Sequence, residues 1–150
     1  MKKLAAFVFS VGLVSTSALL GGCGSTAEQN LGTVGNTMAY DTTTFSVKAG
    51  QKVHVVLKNN GDSPAMTHNW VLVKPGSEVA VATDGTAAGP GANYVKAGDA
   101  NVLASTPIAN PGATVEVTFT APSEPGTYPY ICTFPGHYTT MKGTLTVTPK

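Results

Sequence analysis

Residues 128–148 read YPYICTFPGHYTTMKGTLTVT. Two strand-like runs, Tyr128-Pro129-Tyr130-Ile131-Cys132 and Gly143-Thr144-Leu145-Thr146-Val147-Thr148, flank a short loop. β-branched and aromatic residues fill both runs, and Pro135-Gly136 between them is a turn signal. The loop gathers a thiol at Cys132, an imidazole at His137 and a thioether at Met141 within ten residues. Because the loop folds back at Pro135-Gly136, the side chains of Cys132 and His137 can aim at one point. A thiolate, imidazoles and a weak axial thioether form the donor set that favours copper in a trigonal electron-transfer site. The loop supplies one imidazole, so a second must come from elsewhere in the chain.

Two other histidines exist, His54 and His68. In Lys52-Val53-His54-Val55-Val56-Leu57-Lys58 the residues Val53, Val55 and Leu57 share one face of a strand, and His54 falls on the other. That position suits a solvent-facing or sheet-packed histidine. His68 opens the β-prone run His68-Asn69-Trp70-Val71-Leu72-Val73 and is the better candidate for the missing imidazole. Trp70 in the same run is read as core.

The rest of the chain is also strand-like. Met38-Ala39-Tyr40 and Thr44-Phe45-Ser46-Val47 are short β-prone runs, followed by a turn at Ala49-Gly50-Gln51. Asn59-Asn60-Gly61-Asp62 ends the His54 strand with turn chemistry. Thr114-Val115-Glu116-Val117-Thr118-Phe119-Thr120 alternates with Val115, Val117 and Phe119 inward. Residues 74–107 break the rhythm with many Gly and Ala residues and with Pro75 and Pro90. They read as a flap holding one weak helix, capped by Ser77, begun at Glu78 and ended by Asp84-Gly85 and Gly89-Pro90-Gly91. Short strands, frequent turns and no long helix predict an all-β, antiparallel sandwich with a short helical flap.

Before this domain, residues 1–22 read as an export signal: Met1-Lys2-Lys3 is a charged start and Leu4 to Leu20 an apolar stretch. Leu20-Gly21-Gly22-Cys23 resembles a bacterial lipobox, in which cleavage precedes the cysteine and Cys23 carries the lipid. Residues 24–36, rich in small and polar side chains, read as a flexible tether. The expected organisation is a lipoprotein signal over 1–22, a lipidated Cys23 and tether over 23–36, and the folded domain over 37–150. The domain would be anchored to the membrane on its periplasmic or extracellular side. With Cys23 acylated, Cys132 has no disulfide partner, and an unpaired thiol in an oxidising compartment is a hazard unless buried or metal-bound.

Composition narrows the function further. The 150 residues include 9 lysines, no arginine and 8 acids, and 42% are hydrophobic. Without Lys2 and Lys3 the charge is close to balanced, and no basic patch is present to attract nucleic acid.

The ordered pattern His68-Asn69-Trp70, then Cys132-Thr133-Phe134-Pro135-Gly136-His137, then Met141-Lys142-Gly143, resembles the azurin-like blue copper proteins, or cupredoxins. Within that family the pattern resembles the auracyanins, membrane-associated members from photosynthetic bacteria. The likeness extends from about Thr33 to Pro149. It implies a Greek-key sandwich of eight strands that binds one type 1 copper and transfers single electrons by Cu(II)/Cu(I). It makes His68, Cys132 and His137 the equatorial ligands and Met141 the axial one. Asn69 would tie the His68 strand to the Cys132 loop, and backbone N–H groups of Asn69 and Phe134 would point at the Cys132 sulfur. Met66, Phe134 and Pro135 would ring the edge of His137 as a docking surface for transient redox partners. Azurins carry Gly before the first histidine, with its carbonyl as a distant fifth ligand. Thr67 stands there in this chain, and its β-branched side chain restricts close backbone approach. A four-coordinate site is therefore expected. The azurin disulfide is absent.

Other functions fit less of the pattern. Multicopper enzymes need more imidazoles than three histidines provide. A thiol enzyme built on Cys132 and His137 would leave Met141 without a role and would need an orienting third group. Periplasmic copper delivery or storage is the alternative, because similar ligands can serve a metal that exchanges. The reading is a monomeric electron carrier, not an enzyme, without a small-molecule substrate, placed between partners of a respiratory or photosynthetic chain.

Overall fold

The computed structural model describes residues 25–150. The expected signal, and Cys23 with it, lie outside the described residues. Among the described residues, eight strands form two sheets: β1 (Ala27–Gly32), β2 (Thr44–Lys48), β3 (Lys52–Lys58), β4 (Val71–Val73), β5 (Val102–Ser105), β6 (Thr114–Thr120), β7 (Gly126–Ile131) and β8 (Lys142–Thr148). One sheet has the order β1-β3-β6 and the other β2-β8-β7-β4-β5. The sandwich and its strand number agree with the sequence reading.

Period-two burial explains the layering. Val53, Val55 and Leu57 on β3 are fully buried, and Val115, Val117 and Phe119 on β6 pack on the same core. Leu72, Tyr130, Leu145 and Val147 meet them from the larger sheet. On the outer face of that sheet, helix α1 (Glu78–Ala88) covers Val71, Val73 and Ile131 with Val81 and Ala82.

Several expectations need correction. The sandwich is not purely antiparallel: β1 runs parallel to β3, and β2 parallel to β8. Residues 24–36 are not wholly a tether, and the domain does not begin at 37, because β1 occupies Ala27–Gly32. Its inward positions are Ala27, Gln29 and Leu31, so a small and a polar residue mask the alternation, while pairing with β3 supplies the backbone partners. The flap also contains a strand, β5, which pairs antiparallel with β4.

The helix in the flap starts at Glu78 as expected, but the Ser77 side chain makes no cap and instead bonds the Lys74 carbonyl. The helix passes through Asp84-Gly85 and stops before Gly89 at φ 75° and Pro90. Gly85 lies inside the helix because a Cβ there would overlap the Tyr94 carbonyl. Helix propensity yields to that close approach.

Candidate metal centre

Cys132 directly follows β7, and His137 follows it in the loop before β8. Backbone bonds from His137 N–H to Phe134 O (3.0 Å) and from Met141 N–H to His137 O (2.8 Å) close that loop. Gly136 takes φ 85°, a left-handed turn position suited to glycine. The Cys132 N–H donates to the Met141 carbonyl at 3.0 Å, pinning the start of the loop to its end.

His68 arrives from the opposite direction, just before β4. It exchanges two backbone bonds with Ala109, 3.1 Å and 2.7 Å long. Asn59, fully buried, steadies this segment: its amide nitrogen donates to Met66 O (2.7 Å) and Ala109 O (2.9 Å). The sequence reading treated Asn59 only as part of a turn.

These two segments bring His68, Cys132 and His137 together as a potential metal site. The Cys132 sulfur lies 3.9 Å from His68 Nδ1 and 3.7 Å from His137 Nδ1, and the two Nδ1 atoms are 3.2 Å apart. A point equidistant from the three donors lies about 2.1 Å from each, by the geometry of that triangle. Bonds from zinc, a neighbouring first-row ion, are about 2.0–2.1 Å to imidazole and about 2.3 Å to thiolate. The donors therefore fit a single ion of that size at their centre.

Burial sets the protonation of the free donors. It pushes the Cys132 thiol up to about 11, partly offset by hydrogen bonds from the backbone N–H groups of Asn69 and Phe134. Burial, with the charge of neighbouring His137, lowers His68 to about 4, and burial also lowers His137. Both imidazoles are thus neutral at neutral pH, with a lone pair free on one nitrogen each. His68 Nε2 is buried and has no hydrogen-bond partner among the described residues.

Met141 is fully buried in the cluster that contains Cys132. Asn69 is the joint between the segments: Oδ1 accepts the Thr133 N–H, and Nδ2 donates to the Thr133 hydroxyl and to the Asn93 carbonyl. The Asn69 carbonyl accepts the Tyr40 hydroxyl at 2.6 Å. Thr67 is half-buried, with its hydroxyl 3.5 Å from the Pro64 carbonyl. Phe134 and Met66 are half-buried and Pro135 is exposed; the Phe134 ring lies 4.7 Å from that of His137.

His54 is not drawn into the site. It sits on the outer face of the smaller sheet between Glu28 (2.6 Å) and Glu116 (3.1 Å). Trp70 is fully buried and packs on Tyr130, Phe45 and Phe119. Tyr40, Asn59, Thr133, Asn93 and Tyr94 were not singled out for the site. Their residue types are ordinary, and only the folded neighbours give them a role.

The sequence profile of copper-binding proteins of the plastocyanin/azurin family matches residues 27–148. Auracyanin-A of Chloroflexus aurantiacus is 50% identical over 119 residues, covering 78% of this chain and 72% of that protein. An azurin of Pseudomonas fluorescens biotype C is 42% identical over 115 residues, covering 73% and 90%. Among solved structures, auracyanin A of C. aurantiacus, described as a "blue" copper protein, superposes with a TM-score of 0.76 at 48% identity. That match covers 83% of this chain and 100% of the other.

Proposed function

The chain belongs to the plastocyanin/azurin family of copper-binding proteins, and on that premise we propose that it is a type 1 copper protein carrying single electrons between redox partners of a respiratory or photosynthetic chain. The observation that carries the reading is the buried triangle of His68, Cys132 and His137. Those three residues would hold the ion, with Met141 as a further, weaker donor. Bound there, copper would supply a one-electron couple between Cu(II) and Cu(I).

The chain's own residues do the rest. Cys132 gives up its proton on metal uptake, since the buried free thiol is protonated at neutral pH. His68 and His137 are already neutral and offer their lone pairs without proton loss. The N–H groups of Asn69 and Phe134 draw charge from the sulfur, which weakens its preference for the oxidised ion. Because Asn69 and Thr133 lock the two donor segments together, the donors shift little between charge states, and small rearrangement means fast transfer. All three corners are buried, which hinders the approach of a substrate and favours a carrier over an enzyme. Met66, Phe134 and Pro135 around His137 provide an apolar contact surface, suited to the small, transient interfaces of electron transfer.

Export and anchoring through a lipid on Cys23 belong to the same reading. Since β1 starts at Ala27, only residues 24–26 separate the anchor from the domain, which as a monomer would stay close to the membrane surface.

The deciding experiment is a visible and EPR spectrum of the copper-loaded protein before and after ascorbate. An intense blue band with narrow copper hyperfine splitting, bleached by ascorbate and restored by oxidant, is expected. A colourless protein, or one holding copper only as Cu(I), would overturn the carrier in favour of delivery or storage. For the anchor, Cys23→Ala should move the protein from the membrane fraction to the soluble one; an unchanged distribution removes the lipid.

A further inference from the structure

Two residues of the flap hold a backbone conformation that side chains rarely adopt. Asn93 and Tyr94 both have φ 54°, in the left-handed region that asparagine tolerates and a bulky aromatic disfavours. Such strain persists only where the surroundings over-determine it, and it gathers at functional sites.

The surroundings of this turn lead to the donor triangle from two sides. The Asn93 carbonyl accepts the Asn69 amide at 2.9 Å, and the Asn93 side-chain oxygen accepts the Ile108 N–H at 3.1 Å. Asn69 follows His68, and Ile108 precedes Ala109, the backbone partner of His68. A single residue thus grips both the segment carrying the first imidazole and the segment paired with it. Tyr94 reaches the second imidazole: its ring meets Phe134 edge-on at 5.1 Å, and Phe134 lies 4.7 Å from His137. Helix α1 backs the turn, since Gly85 packs so closely on the Tyr94 carbonyl that no side chain fits between them.

We propose that Asn93 and Tyr94 are positioning residues of the metal centre, clamped by the strained turn against Asn69, Ile108 and Phe134 so that both imidazoles are set before metal arrives. Neither residue touches the ion. Asn93 acts through Asn69 and Ile108, and Tyr94 acts through Phe134. The inference rests on the copper-carrier reading for its consequence, but the clamp itself is a property of the copper-free fold.

Glycine tests both positions, because it accepts this φ without strain and leaves the backbone carbonyls in place. Asn93→Gly removes the bond to Ile108, whereas Asn93→Asp keeps an acceptor there. Tyr94→Gly removes the ring, whereas Tyr94→Phe keeps it. In the copper-free protein, the glycine variants should show faster amide hydrogen exchange at Asn69, Thr133 and Phe134. In the loaded protein, copper affinity should fall roughly tenfold, the lower end of the range for residues behind a ligand, with a shifted thiolate-to-copper band. Asn93→Asp and Tyr94→Phe should match the parent in every readout. Glycine variants with parental exchange, affinity and band would overturn the clamp, whatever their melting temperature. A parent without a blue band would overturn the carrier reading alone, and the exchange comparison would still decide the clamp.

Discussion

Asn69 and Thr133 share two hydrogen bonds, side-chain carbonyl to backbone N–H and side-chain amide to hydroxyl, each 2.8 Å long. Each residue directly follows one corner of the donor triangle, His68 in one case and Cys132 in the other. The pair therefore acts as a cross-brace between segments 64 residues apart. Both residues are buried, so the bonds form in a low-dielectric setting where an unmade bond is costly.

Replacing the brace with an apolar side chain of similar size tests that cost. Asn69→Leu leaves the Thr133 N–H and hydroxyl unsatisfied in the interior. Each orphaned buried group costs about 1–3 kcal/mol, so the copper-free protein should unfold at clearly lower denaturant. In the loaded protein the reduction potential should fall as the N–H groups drift from the Cys132 sulfur. A stability loss with an unchanged potential would mean that the brace supports the fold and not the metal centre.

Met141→Gln addresses the proposed weaker donor. An oxygen donor favours Cu(II) over Cu(I) relative to a thioether, so the variant should stay coloured and show a lower reduction potential by voltammetry. Met141 is fully buried, so the polar amide should also lower thermal stability. A parental potential would remove Met141 from the coordination sphere.

A third test concerns the strand that delivers Cys132. Gly143 lies opposite Tyr130 in the β7–β8 pair, and a Cβ there would run into the Tyr130 ring. Tyr130 is fully buried and its hydroxyl donates to the Thr42 carbonyl. Gly143→Ala should therefore cost about 1–3 kcal/mol, as overpacked cores do, measured by denaturant unfolding. A neutral result would show that the ring yields without moving the strand.

The strands that alternate cleanly were legible from the chain. Val53, Val55 and Leu57 mark β3, and Val115, Val117 and Phe119 mark β6, because their inward positions are uniformly apolar. β1 was hidden since Ala27 and Gln29 take inward positions that composition assigns to a linker. β5 was hidden within a flap of small residues, and only pairing with β4 makes it a strand. Parallel pairing was also invisible: alternation identifies a strand but says nothing about which distant segment lies beside it. At the site, His68, Cys132 and His137 stood out because thiol and imidazole are rare and chemically specific. Asn59, Asn93 and Tyr94 did not, because their roles come from contacts with Ala109, Asn69 and Phe134 that exist only after folding.

The outer face of the smaller sheet yields a pH dependence of known sign. His54 is raised from its ordinary value, first by its hydrogen bond to Glu28 and then by that to Glu116. A histidine whose folded value is raised adds stability that is complete below its unfolded value, about 6.5, and is lost as pH rises through the folded one. His68 and His137 are shifted the other way, so their titration weakens the fold only below that unfolded value. Above about pH 6.5, and below the range where the unfolded Cys132 thiol begins to ionise, the falling contribution is therefore that of His54. The melting temperature of the copper-free protein should decline across this window. Glu28→Gln removes the leading cause of the shift and should flatten the decline, with the spectrum of the copper-loaded protein unchanged. An equally steep decline in Glu28→Gln would mean that the ion pair, which joins β1 to β3, does not hold the edge strand in place.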